Sequence, residues 1–153
     1  MALYLAQHGK SLSKEQDPDQ GLSSAGIDET RRMAALAAEH QIAVRRIQHS
    51  TKTRARQTAE IFAEVLSPQD GVQVMEGIKP MDDVTTVAPE LNPEDNLMLV
   101  GHLPYMARLT SYLITGNIEP SVFTFQNSGI VCLDKPADGV NWQIVWSLMP
   151  RVG

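Results

Sequence analysis

The chain has 153 residues, 42% of them hydrophobic, and a formal net charge of −5. This is the size of one domain with enough apolar content for a real core, and an acidic balance without blocks of like charge excludes the basic surface that nucleic acids need. No apolar run is long enough to span a membrane, the start lacks a signal-peptide pattern, and the lone Cys132 lies in an apolar stretch, so a soluble cytoplasmic protein without a disulfide is expected.

In chain order, Ala2 to Ala6 is a continuous apolar run, the signature of a strand buried on both faces of a parallel sheet. Residues 10 to 21 are polar and read as a loop. A helix follows, with Ser23 or Ser24 as N-cap and Ile27, Met33, Leu36 and Ala37 as inner-face residues. Val44 to His49 reads as a strand. Ser50 and Thr51 then open a second helix through Leu66, whose positions Ala55, Thr58, Ala59, Phe62 and Val65 recur at three- and four-residue steps.

Val72 to Glu76 fits a strand, and residues 77 to 95 a proline-bearing loop with a short helix at Val84 to Leu91. Asn96 to Gly101 is another buried strand. Leu103 to Thr115 is a helix closed by Gly116, which suits a left-handed cap. Gly129 to Leu133 and Trp142 to Leu148, joined through Pro136, Asp138 and Gly139, read as an antiparallel hairpin at a sheet edge. Alternating strands and helices predict a three-layer α/β/α sandwich with a mostly parallel sheet and an antiparallel edge.

Two histidines share one setting. His8 follows the first strand and precedes Gly9, which permits a sharp turn and close approach of a ligand; His102 follows the strand at Leu97 to Gly101. Both fall at carboxyl ends of apolar strands, where such folds bind ligands, and neighbouring strands would bring the rings together. His8 then reads as a nucleophilic imidazole. Arg54, in the first turns of a helix, adds a guanidinium fork to free amides and makes an anion site, whereas Arg31, Arg32 and Arg56 read as solvated charges.

Gln7-His8-Gly9, the segment Ser50 to Thr58, Gly101-His102-Leu103-Pro104 and Asn127-Ser128-Gly129 together resemble, in order, the motifs of the histidine phosphatase superfamily, with its phosphoglycerate mutase-like fold. The short length and the lack of an inserted cap domain are most similar to the SixA-type phosphohistidine phosphatases. The resemblance implies a single domain over 1–153 in which His8 attacks phosphorus and forms a phosphohistidine intermediate. Arg54 and His102 would neutralise the equatorial oxygens, and Gln7, Gly9 and Leu103 would complete the phosphate pocket. No cofactor or metal is implied. Among the carboxyl groups of the 76–83 loop, Glu76, Asp82 and Asp83, the last is best aligned as a general acid. A weak acid matters less for a phosphoramidate, since imidazole leaves more readily than an alkoxide, and this favours a phosphohistidine-bearing partner protein over a small phosphorylated metabolite.

The family normally has Arg where this chain has Gln7. An amide keeps hydrogen-bond donors but loses the charge and the bidentate fork, and removing one such donor costs roughly 3–4 kcal/mol in other oxyanion sites. Lys10 and Lys52 are the nearby cations in sequence. The alternative readings are a catalytically weakened phosphate-binding or regulatory module, or a phosphomonoesterase of small metabolites.

Overall fold

The computed structural model describes residues 1–152. Six strands form one sheet in the order β3-β2-β4-β1-β5-β6: β1 (Leu3–Gln7), β2 (Arg46–His49), β3 (Val72–Val74), β4 (Leu97–Gly101), β5 (Ile130–Asp134) and β6 (Gln143–Leu148). The first four strands are mutually parallel, while β5 runs antiparallel to β1 and β6 antiparallel to β5. The expected hairpin is therefore present at the edge. Helices α1 (Ser24–Glu39) and α2 (Thr53–Leu66) cover one face of the sheet, and the short α3 (Val84–Val87) and α4 (Tyr105–Thr115) cover the other.

The alternation of side chains along β1 explains the two cores. Leu3 and Leu5 face Leu97, Leu99, Tyr105, Met106 and Leu109, whereas Tyr4 and Ala6 face Met33, Ala37, Phe62 and Met98. Both halves of this strand are buried, as its unbroken apolar run requires. The β1 and β4 strands are neighbours in register, with Gln7 opposite Gly101, so the residues that follow each strand emerge side by side.

Several boundaries differ from the sequence reading for physical reasons. Ser23 does cap α1, accepting from the Gly26 amide, and Gly116 does close α4 with a left-handed φ of 79°. On α1, Met33 and Ala37 are buried as expected, but Ile27 and Leu36 are only half-buried, and Gly26, Thr30 and Ala34 complete the inner face. Gly26 has no room for a side chain, because a Cβ would lie 2.1 Å from the Lys10 carbonyl oxygen. The second helix begins at Thr53 rather than Ser50, with Lys52 at the cap position and no side-chain cap bond. On its stripe Ile61 is buried and Val65 is 41% exposed. The helix expected over Val84 to Leu91 stops at Val87 and continues as a 3₁₀ turn over Ala88–Glu90, since Pro89 has no amide to donate and its ring crowds the preceding turn. Cys132 is buried in β5, and burial raises its thiol pKa to about 11, which suits an inert core residue.

Candidate active site

At the carboxyl ends of β1 and β4 the His8 and His102 rings lie with centroids 5.0 Å apart, tilted by 54°. The expected convergence is present, and it follows from strand pairing: the His8 amide donates to the Gly101 carbonyl at 2.9 Å. The His8 Nδ1 lies 2.7 Å from the Gly9 carbonyl oxygen. A carbonyl can only accept, so Nδ1 carries the proton and a neutral ring keeps its lone pair on Nε2. That places the nucleophilic atom of His8 on the side away from the backbone.

The segment Ser50 to Thr58 is used almost residue by residue. Ser50 is fully buried, and its Oγ lies 2.5 Å from His102 Nε2. Arg54 is half-buried, and among the described residues it forms no ion pair. Arg56 turns outward and pairs with Glu60 one turn later, while Arg31 and Arg32 are exposed, as expected for solvated charges. Ala55 packs in the core against the sheet. The Gln57 side-chain oxygen accepts from the Leu22 amide and ties down the loop before α1. Thr58 Oγ1 accepts from the Gly9 amide at 2.9 Å and donates to the Arg54 carbonyl.

The backbone that carries His8 is braced from the far side as well. The Asn127 side-chain amide donates to the His8 carbonyl, the Ser128 amide donates to the Gln7 carbonyl, and Ser128 Oγ lies 2.7 Å from Thr30 Oγ1. This corrects the reason for Gly9. Its φ is not left-handed, and a Cβ would lie 2.6 Å from Thr30 Oγ1 and 3.1 Å from Ser128 Oγ, so the glycine is needed for packing against α1 and the polar turn. Sequence reasoning placed Thr58 on an apolar stripe and Asn127 and Ser128 only in a motif. A hydroxyl on an otherwise apolar stripe was the available signal for Thr58.

Burial and neighbouring cations both act on the two imidazoles. Burial pushes the His8 imidazole down to about 4; the Gly9 bond opposes this and the Arg54 charge adds to it. Burial also lowers His102, to about 3, helped by the charges of His8, Arg54 and Lys52. Of the two lysines, Lys52 thus acts on this cluster, and Lys10 is exposed on the loop after β1. Burial lowers the Arg54 guanidinium as well. Two polar atoms at the site, His102 Nδ1 and Gln7 Oε1, are buried and without a partner. Leu103 is 39% exposed, and its amide makes no hydrogen bond to the described residues.

Asp83, the expected general acid, stands at the head of α3. Its carboxylate caps α3, accepting from the Thr85 amide at 2.9 Å and the Thr85 hydroxyl at 2.7 Å, and these bonds hold it below the usual carboxyl range. A general acid needs the opposite shift. Asp82 accepts from the Lys79 amide, and Glu76 is exposed.

The two depressed histidines set a pH dependence of stability. An unfolded imidazole takes up a proton near 6.5, whereas the folded ones resist until about 4 and about 3, so folding is favoured above 6.5 and loses this contribution as pH falls through those values. Thermal melts between pH 7.5 and 4 should show a falling Tm below pH 6.5, and His8→Gln should flatten that fall. An unchanged slope in the variant would mean that His8 titrates normally in the fold.

The fold and the paired strand-end histidines define a three-layer α/β protein with a histidine- and arginine-bearing site at the carboxyl ends of its parallel strands. The family model of the histidine phosphatase superfamily (branch 1) matches residues 3–85, and the chain belongs to that superfamily. It is 28% identical over 151 residues to the phosphohistidine phosphatase SixA of Escherichia coli K12, covering 94% of this chain and 93% of that one. An uncharacterised protein of Picosynechococcus is 32% identical over 146 residues, covering 90% and 87% of the two chains. The structure of the protein histidine phosphatase SixA complexed with tungstate superposes with a TM-score of 0.83 at 26% identity, over 98% of this chain and 97% of that one.

Proposed function

We propose that this chain is a cytoplasmic phosphohistidine phosphatase that acts on a partner protein through a covalent intermediate on His8. The observation that carries the reading is the Nδ1 bond to the Gly9 carbonyl, which leaves the lone pair on His8 Nε2, in a ring whose centroid lies 5.0 Å from that of the second histidine. In the first step that lone pair attacks phosphorus while the P–N bond of the substrate breaks, and its electron pair leaves on the substrate imidazole, which takes a proton from water. In the second step a water oxygen attacks phosphorus, the bond to His8 Nε2 breaks, and inorganic phosphate departs. Arg54 and His102, with the charge of Lys52 nearby, stabilise the negative charge on the transferring oxygens.

The choice of a phosphoramidate is supported by the loop carboxyl groups. Asp83 is engaged by Thr85 and held ionised, which suits a substrate whose leaving group needs little help from an acid. The SixA relative is a phosphohistidine phosphatase by name, and tungstate, a tetrahedral oxyanion, binds a protein of this fold. A second reading, binding of phosphate groups without turnover, is favoured only by the neutral, unpartnered carboxamide of Gln7. A protein phosphorylated on histidine and p-nitrophenyl phosphate should be compared as substrates by phosphate release. We expect kcat/KM to favour the phosphohistidine by at least about tenfold, or about 1.4 kcal/mol in barrier. Saturable binding of the phosphoprotein with no phosphate released would overturn the enzyme reading.

A further inference from the structure

Ser50 stands where a helix cap was expected, yet it caps nothing: its Oγ lies 2.5 Å from His102 Nε2 across the β2–β4 junction and accepts from the Lys52 amide at 3.3 Å. Both side chains are sealed from solvent, with Ser50 at 0% and His102 at 1% exposure. The direction of the bond follows from counting protons. A serine hydroxyl has one proton to donate and two lone pairs, and the Lys52 amide takes one lone pair. If Nε2 donated to Oγ, the hydroxyl proton would be left in a buried site with no other acceptor among the described residues, at a desolvation cost of about 1–3 kcal/mol. If Oγ donates to Nε2, the hydroxyl proton is used and only the ring's Nδ1–H is left without a partner.

We propose that Ser50 is a positioning residue that holds His102 in the neutral tautomer protonated on Nδ1, so that the buried Nδ1–H is kept as a donor for the phosphoryl group. His102 Nδ1 is one of the site's buried atoms without a partner, which is the state of a donor awaiting an acceptor. The other tautomer would turn a lone pair toward phosphoryl oxygens and repel them. The inference rests on the proposed reading only in naming that acceptor; the tautomer itself is a property of the free protein.

The test separates the two. Protein labelled with ¹⁵N-histidine, without substrate, is read by long-range ¹H–¹⁵N correlation near pH 7, with His102 assigned from a His102→Gln sample. We expect His102 protonated on Nδ1 in the wild type and in Ser50→Thr, and a shift toward the Nε2-protonated form in Ser50→Ala. In turnover of phosphohistidine, Ser50→Ala should lose about 10- to 100-fold in kcat/KM, the loss seen when orienting partners of metal-ligating histidines are removed, and Ser50→Thr should recover most of it. An Nε2-protonated His102 in the wild type overturns the proposal, as does an unchanged tautomer in Ser50→Ala. If the alanine variant does not fold, the wild-type and threonine spectra decide alone. The predicted tautomer in a wild type that turns over no phosphohistidine would sink the substrate reading and leave the tautomer assignment standing.

Discussion

His8→Ala should abolish turnover, with a loss of more than about 10⁴-fold, and should leave no labelled enzyme when the substrate carries ³²P. The expectation rests on the Nε2 lone pair that the Nδ1 bond to the Gly9 carbonyl leaves free for attack on phosphorus. His102 turns its Nε2 toward Ser50, and burial holds its ring neutral as it does that of His8. The variant should fold, because the His8 backbone is held independently of its ring: its amide donates to Gly101, its carbonyl accepts from Asn127, and Gly9 is anchored by Thr58. Wild-type label should be acid-labile and base-stable, as a phosphoramidate requires. Comparable phosphate release by His8→Ala, with an unchanged melting profile, would exclude the covalent route.

What the sequence disclosed and what it withheld divide along a physical line. The apolar runs ending in His8 and His102 were legible because burial on both faces of a strand leaves a continuous hydrophobic signature, and parallel pairing then aligns the strand ends. Ser50 was not legible. A serine before a helix is ordinarily a cap, and nothing local announces that its hydroxyl serves a ring 52 positions away. Thr58 shows the same ambiguity: its place on the buried stripe was readable from spacing, but the hydrogen bond to Gly9 spans 49 positions and depends on how α2 lies against the sheet. For Asp83 the local pattern admits two readings. An acidic residue two positions before Thr85 is a good helix cap, and the structure shows the carboxylate engaged by Thr85, a contact that the resemblance to catalytic loops did not indicate.

Arg54→Ala should lower kcat/KM by about 10³-fold, at the upper end of what removal of one transition-state donor costs. The large value follows from Gln7. Where the family pattern supplies two guanidinium groups, this chain has one, half-buried and without a carboxylate to neutralise it among the described residues. Gln7 offers a neutral carboxamide whose oxygen is buried without a partner, and an acceptor there does nothing for an anion unless the amide turns its nitrogen inward. Lys52 contributes charge at a distance sufficient to depress His102, but as an exposed ammonium it is screened by water and lacks a fork. Arg54 therefore has no equivalent to share its load. Gln7→Arg should raise wild-type turnover and, placed in Arg54→Ala, recover more activity than it adds to the wild type, because the two guanidinium groups would act on the same oxygens. A loss of less than about tenfold in Arg54→Ala would show that phosphoryl charge is stabilised elsewhere. Strict additivity in the double variant would show that positions 7 and 54 do not meet at one phosphate.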